Sequence, residues 1–437
     1  MKIRIREIYS QLDMIFILLF FLSFFHSILG LVFYLSLFYY WKYGVSGGIR
    51  VLFFITTRSI MSTAVAAIPG GGNMLKWFLL LGSSIWILLN VKNRNYNRRK
   101  GDGVILWLIL FIVVEALSTI ETSSYPVTSI FKLISFGLPL TAIVIGVALT
   151  NKKYRWTEYI VVFYTILFCI NFVLIPFGKF RIVNNNFQGV FNHVNMLGII
   201  SVIYIALLLD SKFFAERKRI RLLMLCLTFI MIFLSMSRTG MFSAIMVVLV
   251  YIIFNAKKHL KGIIVSGIGA FILVMIVSFT NSPLLENIKN TAEEFIWKNS
   301  EESIWDSRKE LIEEAQERFE THKFLGSGFM VPYEKNVVDY HLNFDLIVEP
   351  GNLLWMLLGD TGIVGITLFG MFIVKIASSG TRRKLFILVA ALMVNMGEMV
   401  FFSSNNMSIL LYLLIAIYIF DREEEECVQT KHNSANI

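Results

Sequence analysis

Glu115, Lys132, Arg238 and Glu398 interrupt or border long apolar runs, and Arg181 and His193 flank the loop ahead of another. These residue types can do two kinds of chemistry. A guanidinium presents a planar fork that grips phosphate oxygens bidentately. A carboxylate or imidazole beside it can take a proton from a hydroxyl as a general base. All six fall toward one face of the membrane rather than scattering between both, and ionisable groups at membrane depth are functional candidates by default. Guanidinium groups on an outer face suit a lipid-linked phosphate or pyrophosphate. There is no phosphate-cradling glycine loop and no nucleotide fingerprint, so a reaction there needs a substrate that arrives already activated, such as a sugar on a lipid pyrophosphate.

Each residue also has a plainer reading. Arg181 and Lys132 can snorkel to headgroups, Glu115 and Glu398 can pair with a basic neighbour for structure alone, and His193, next to asparagines, can be an ordinary hydrogen-bonding loop residue. His26 in the first apolar run reads as a satisfied interior histidine, and Glu423–Glu426 as a solvated tail. Arg238 is the hardest to dismiss, because a guanidinium in Ser235-Met236-Ser237-Arg238-Thr239-Gly240 needs a fixed anion or carbonyl partner.

The elements that must position these groups are membrane helices. The chain has 437 residues, 56% of them hydrophobic and 16% charged, with 39 Phe and a mean hydropathy of +0.69. A soluble domain cannot hide that much apolar surface. Apolar runs of about 17–25 residues recur, each long enough to cross a bilayer core of roughly 30 Å. They predict an all-α polytopic bundle of about twelve spans, near 14–36, 74–91, 104–121, 128–150, 157–177, 194–210, 222–236, 239–255, 263–280, 352–374, 385–401 and 407–420. The first run is an anchor rather than a cleaved signal, since further spans follow it. The stretch 51–68 carries Arg58 near its middle and runs into Pro69-Gly70-Gly71-Gly72, so it is expected to be re-entrant or tilted and to face protein. Cys169, Cys226 and Cys427 show neither metal-ligand nor disulfide spacing, and no metal or cofactor is expected.

The net charge of +10 comes from short basic clusters between apolar runs, which is the pattern of membrane topology and not of nucleic-acid binding. Alternate loops hold Lys92, Arg94, Arg98, Arg99 and Lys100; Lys152, Lys153 and Arg155; Lys212, Arg217, Lys218, Arg219 and Arg221; Lys257, Lys258 and Lys261; and Arg382, Arg383 and Lys384. The short loops between them hold only Lys179, Arg181 and Arg238. The positive-inside rule then places the basic loops and both termini in the cytoplasm. The chain divides into a membrane bundle at 1–280, a large extracytoplasmic loop at 281–351, C-terminal spans at 352–420 and a cytoplasmic tail at 421–437. In the loop, Glu293 through Phe319 reads as an amphipathic helix that Gly326-Ser327-Gly328 breaks, and Phe295, Trp297, Trp305 and Leu311 argue that it is ordered.

Four short motifs resemble the O-antigen polymerase and O-antigen ligase superfamily of bacterial envelope proteins. Gly189-Val190-Phe191-Asn192-His193-Val194-Asn195-Met196-Leu197-Gly198 is similar to its outer loop leading into a span, and Ser235–Gly240 to its serine–arginine junction. Ser307-Arg308 followed by Phe324-Leu325-Gly326-Ser327-Gly328-Phe329 resembles the large loop, where an arginine precedes a Leu-Gly-x-Gly turn. Asn352-Leu353-Leu354, then Gly359-Asp360-Thr361-Gly362-Ile363-Val364-Gly365, is similar to the next span. They occur in the family's order over about residues 180–370.

The resemblance implies a metal-independent glycosyltransferase of the bacterial cytoplasmic membrane that uses undecaprenyl-pyrophosphate-linked oligosaccharide on the outer face. It implies Arg238, Arg308 and Arg181 as pyrophosphate contacts and His193, Asn195 and Asn352 as further substrate contacts. Ligases of the family carry a His just before the Asn of the last motif. Here that position is Gly351, so Glu349 or His341 is expected to act as base, which suits a polymerase of O-antigen, capsule or exopolysaccharide better than a ligase finishing lipopolysaccharide. A flippase or secondary transporter is the reading from another class; it favours charges through the full membrane depth and matched broken helices in two halves. Expected partners are membrane lipid, a chain-length regulator and a flippase.

Overall fold

The computed structural model describes residues 3–67, 72–91, 98–177, 181–182, 186–255, 309–331, 352–403 and 407–420. The span expected at 263–280 lies outside them. The helices are α1 (Ile5–Ile8), α2 (Gln11–Leu22), α3 (Ser27–Leu37), α4 (Val45–Ser59), α5 (Gly72–Leu89), α6 (Arg98–Thr122), α7 (Pro126–Thr150), α8 (Trp156–Leu174), α9 (Val194–Asp210), α10 (Lys212–Ala215), α11 (Lys218–Leu234), α12 (Arg238–Asn255), α13 (Lys309–Thr321), α14 (Leu353–Ser379), α15 (Leu385–Met393) and α16 (Ser408–Ile419). Strands β1 (Arg181–Ile182) and β2 (Asn186–Phe187) form a small antiparallel hairpin between α8 and α9. Among the described residues six helices, α5, the 101–122 part of α6, α7, α8, α12 and α14, are long and apolar enough to cross a membrane, and α2, α9 and α16 are shorter apolar helices. This is an all-α membrane protein.

The N-terminal region departs from the sequence expectation. The apolar run 14–36 is two helices, not one. Ser23 Oγ donates to the Phe20 carbonyl, and His26, exposed rather than interior, caps α3 by accepting the Ile28 N–H on Nδ1 at 3.1 Å. The chain doubles back there. Tyr40, just past α3, donates to Asp13 at the start of α2 at 2.9 Å, and the Phe20 and Phe33 rings pack edge to face.

α4 then runs back along this pair. Near its start Arg50 pairs with Asp13 at 2.9 Å, and near its end Arg58 Nε donates to Ser23 Oγ at 3.0 Å. So 51–58 lies buried within one helix and faces protein, as expected.

Two helices near the C-terminus are interrupted. The run 385–401 unwinds after α15 through a tight turn at Val394–Met396. Asn395 replaces the lost helical bonds, accepting the N–H groups of Val400 and Phe401 at 3.0 and 2.7 Å. Such irregular backbone survives at membrane depth only inside protein, and Val400, Phe401 and Phe402 are buried. α14 breaks at Gly362, whose φ of 63° is left-handed and favours glycine. α16, buried along its whole length, packs against α4, α7, α9, α14 and α15.

Candidate functional site

The site begins where two helices start. His193 caps α9, its Nδ1 accepting the Asn195 N–H at 3.2 Å. Asn352 caps α14 in the same way, its Oδ1 accepting the Leu354 N–H at 2.9 Å. Both caps satisfy orphan amides of a first turn. They also aim at one segment, the unwound backbone after α15. Asn195 Nδ2 donates to Glu398 Oε1 at 2.5 Å across 203 positions of sequence. Asn352 Nδ2 donates to the Met396 carbonyl at 3.3 Å. Between these two bonds lies Gly397, which packs against Thr239 so closely that an added Cβ would collide with it.

Thr239 brings the α11–α12 junction to the same place. Met236 there adopts a left-handed φ of 52°, and Ser237 caps α12 by accepting the Gly240 N–H at 3.2 Å. Gly198 of α9 and Gly240 of α12 meet backbone to backbone, an approach that larger residues would prevent. Arg238 therefore stands, half-buried, beside the segment that carries Glu398. Asn195 and Asn352 thus bond to the segment that carries Glu398, Thr239 sets Arg238 beside it, and His193 caps the helix that holds Asn195.

A second assembly fixes part of the long loop to this rim. α13 covers the 309–319 part of the helix expected over 293–319, the rest of which lies outside the described residues, and Gly326-Ser327-Gly328 follows its end as the expected break. Its Arg318 is buried and pairs with Asp360 of α14 at 2.8 Å and with Glu314 of its own helix at 2.5 Å. Burial alone would weaken that cation, but Asp360 and Glu314 outweigh it and raise the guanidinium pKa, so Arg318 stays charged. Asp360 also accepts the Met330 N–H at 2.8 Å. Lys132 of α7 donates to the Met330 carbonyl at 2.7 Å, so it reaches inward and does not snorkel. Ser118 and Ser129 donate to the carbonyls of Leu325 and Phe329 at 2.5 and 2.8 Å. Glu115 packs against Gly365 of α14, and among the described residues neither of its buried carboxylate oxygens has a hydrogen-bond partner or a basic side chain paired with it. The Phe329 ring meets Phe402 at 5.0 Å, which joins the docked turn to the unwound segment.

Of the other expected residues, Arg308, Glu349 and His341 lie outside the described residues, and for Arg181 only the backbone, in β1, is described. Sequence reasoning missed Arg318 and Asp360 as a pair. Asp360 stood in a quoted motif, and Arg318 precedes the Leu-Gly-x-Gly turn by seven positions, so a carboxylate–guanidinium match between helix and span was the available signal.

Residues 222–370 match the family model described as O-antigen ligase. About a third of the chain is therefore similar to that family. The match takes in the Arg238 junction, the docked loop, Asn352 and Asp360, and it leaves His193, Asn195 and Glu398 outside its bounds. No curated protein matches the chain. The match and the helices together describe a multi-pass membrane protein with a segment similar to the O-antigen ligase family.

Proposed function

We propose that the protein is an inverting polysaccharide polymerase of the bacterial cytoplasmic membrane. It transfers a growing glycan from undecaprenyl pyrophosphate to a hydroxyl of a new lipid-linked repeat unit. The reaction occurs on the outer face, with about twelve spans, both termini cytoplasmic and 281–351 extracytoplasmic. Arg238, Arg308 and Arg181 neutralise the departing pyrophosphate as charge develops on it, and a positioned donor of this kind contributes about 3–4 kcal/mol. Glu349 or His341 takes the proton of the acceptor hydroxyl. Asn195, Asn352 and His193 hold the rim, and the loop carrying α13 covers it, bringing donor and acceptor together.

One observation carries this reading: the Arg238 junction, the Asn195–Glu398 bond and the Asn352 cap meet on a single unwound segment, against which the loop turn at 325–330 is docked. The test is purified protein given lipid-linked repeat unit, with wild type compared to Arg308→Ala. Wild type is expected to extend the chain and the variant to lose about 10²–10³-fold in rate. Long polymer from the variant at the normal rate would refute the assignment.

The matched family's description favours a second reading, a ligase that moves finished glycan to another acceptor. Gly351 stands where ligases of the family carry histidine, which weighs against it. A deletion strain separates the two: loss of a polymerase leaves single repeat units, and loss of a ligase leaves long polymer on its lipid.

A further inference from the structure

In an unbroken α14 the amides of Ile363 and Val364 would donate to the carbonyls of Gly359 and Asp360, four positions back. The break at Gly362 separates both pairs, and the loop turn partners every group so released. Ile363 N–H donates to the Lys323 carbonyl at 2.9 Å, and Val364 N–H to the Phe324 carbonyl at 3.2 Å. In the other direction Ser327 N–H donates to the Gly359 carbonyl at 3.2 Å, and Gly328 N–H to the Asp360 carbonyl at 3.1 Å. The turn is thus spliced into the helix, replacing both sides of consecutive helical bonds. It does so roughly 14 Å along α14 from its start, and residues 326–331 are buried there. Residues 353–361 form a half-helix held at both ends. At one end is the turn. At the other, Asn352 Nδ2 donates to the Met396 carbonyl on the segment that carries Glu398.

From this arrangement we infer that Gly362 is a positioning residue for the rim, acting through Asn352 as the hinge of a two-state element. With the turn spliced in, the half-helix aims Asn352 at Met396. With the turn withdrawn, Ile363 and Val364 return to Gly359 and Asp360, α14 runs straight, and Asn352 leaves the unwound segment. The helix keeps its backbone bonds in either state, so neither strands a buried amide or carbonyl. Glycine takes both the left-handed and the helical conformation at little steric cost. Any other residue at 362 favours the straight helix twice over: its φ of 63° is unfavourable, and a Cβ there would meet the Phe324 carbonyl and the Gly326 amide. A substrate that touches Asn352 selects the spliced state, because only that state presents Asn352 to the rim. This last step rests on the rim being the site proposed above; the two states of α14 do not.

The test puts spin labels at Leu354→Cys and Val374→Cys, both exposed on α14, in full-length protein without its native cysteines, in phosphatidylcholine nanodiscs. A straight helix sets the two positions about 30 Å apart, and the break brings them closer. The labelled parent is expected to show the shorter distance. Gly362→Ala and Gly326→Ala are expected to gain a population at the straight-helix distance, and Gly370→Ala, with open space around the added atom, to match the parent. Lipid-linked repeat unit should draw Gly362→Ala back to the shorter distance. Its KM should rise about tenfold while kcat at saturation is kept, since substrate then restores the competent state. A merely structural glycine would instead lower kcat at unchanged KM. That result, or an unchanged distance in folded Gly362→Ala, overturns the proposal. If Gly362→Ala does not fold, Gly326→Ala decides: a released turn with α14 still bent overturns it. Failure of wild type to turn over the repeat unit strikes the polymerase reading, and the distances still decide the hinge.

Discussion

Arg318 and Asp360, 42 positions apart, meet at 2.8 Å with both side chains almost wholly buried. This pair pins α13 to the flank of α14. Breaking a buried pair from one side leaves the other charge unpaired and costs about 3–5 kcal/mol, whereas replacing both partners by apolar residues of similar volume is often neutral. Asp360→Asn is therefore expected to release α13, and the double variant Arg318→Met/Asp360→Leu to restore much of the docking. Limited proteolysis after Lys323, with wild type as the reference, reads this directly. Equal protection of wild type and Asp360→Asn would show that other contacts hold the loop.

The turn that follows offers a backbone test of the same docking. Gly326 has a φ of 74°, and a Cβ there would run into the Asp360 carbonyl and the Thr361 amide. The left-handed conformation alone costs an ordinary residue roughly 1–2 kcal/mol, and the collision adds to it. Gly326→Ala is expected to lower the melting temperature and to expose the same proteolytic site, while Gly370→Ala, where nothing lies within 4 Å of the added atom, leaves both unchanged.

Much of this architecture was readable in advance, for identifiable reasons. α9 was placed at 194–210 because an unbroken apolar run begins directly after the polar pair Asn192-His193. α13 was expected from its amphipathic period. The hairpin at Ser23–His26 was hidden because Phe24 and Phe25 carry hydrophobicity straight through the turn, leaving Ser23 and His26 as its only polar marks. α15 was drawn too long for the same reason: Val400, Phe401 and Phe402 are as apolar as a helix, and only the side chain of Asn395 rewrites their hydrogen bonding. Arg318 was lost among Glu313, Glu314, Glu317 and Glu320, which read as a solvated face. Its buried partner lies in another element, and sequence periodicity carries no signal for a contact of that kind.

The helical hairpin predicts a labelling pattern. With α2 and α3 as separate traverses, Phe25, which is 80% exposed, lies at the end of the bundle shared with Ser23 and Arg58, while Lys153 lies at the end shared with Arg50 and Tyr154. In a background lacking the native cysteines, Phe25→Cys is expected to react with a membrane-impermeant maleimide from outside intact cells, and Lys153→Cys only after lysis. Reaction of both from the same side would refute the doubling-back. Reaction of Lys153→Cys alone from outside would invert the proposed orientation and place the docked loop in the cytoplasm.

The Asn195–Glu398 bond yields the sharpest functional expectation, because it ties a residue inside the family's outer-loop motif to one beyond the matched segment. If Glu398 serves only to hold the unwound backbone, Glu398→Gln keeps an oxygen for Asn195 Nδ2 and should preserve activity. If its charge acts on substrate, as a contact for the acceptor hydroxyl whose proton passes to Glu349 or His341, the same variant should lose about 10–100-fold in kcat/KM, while Glu398→Asp retains a measurable part of it. Asn195→Leu removes the donor and leaves the charge, so it should perturb Glu398 without abolishing it. A double-mutant cycle of Asn195→Leu and Glu398→Gln then separates the two roles: a coupling of about 0.5–3 kcal/mol is the signature of residues in direct contact. The expectation here is a large loss for Glu398→Gln, a smaller one for Asn195→Leu, and a double variant no worse than Glu398→Gln alone. Full activity in Glu398→Gln would reduce the carboxylate to scaffolding.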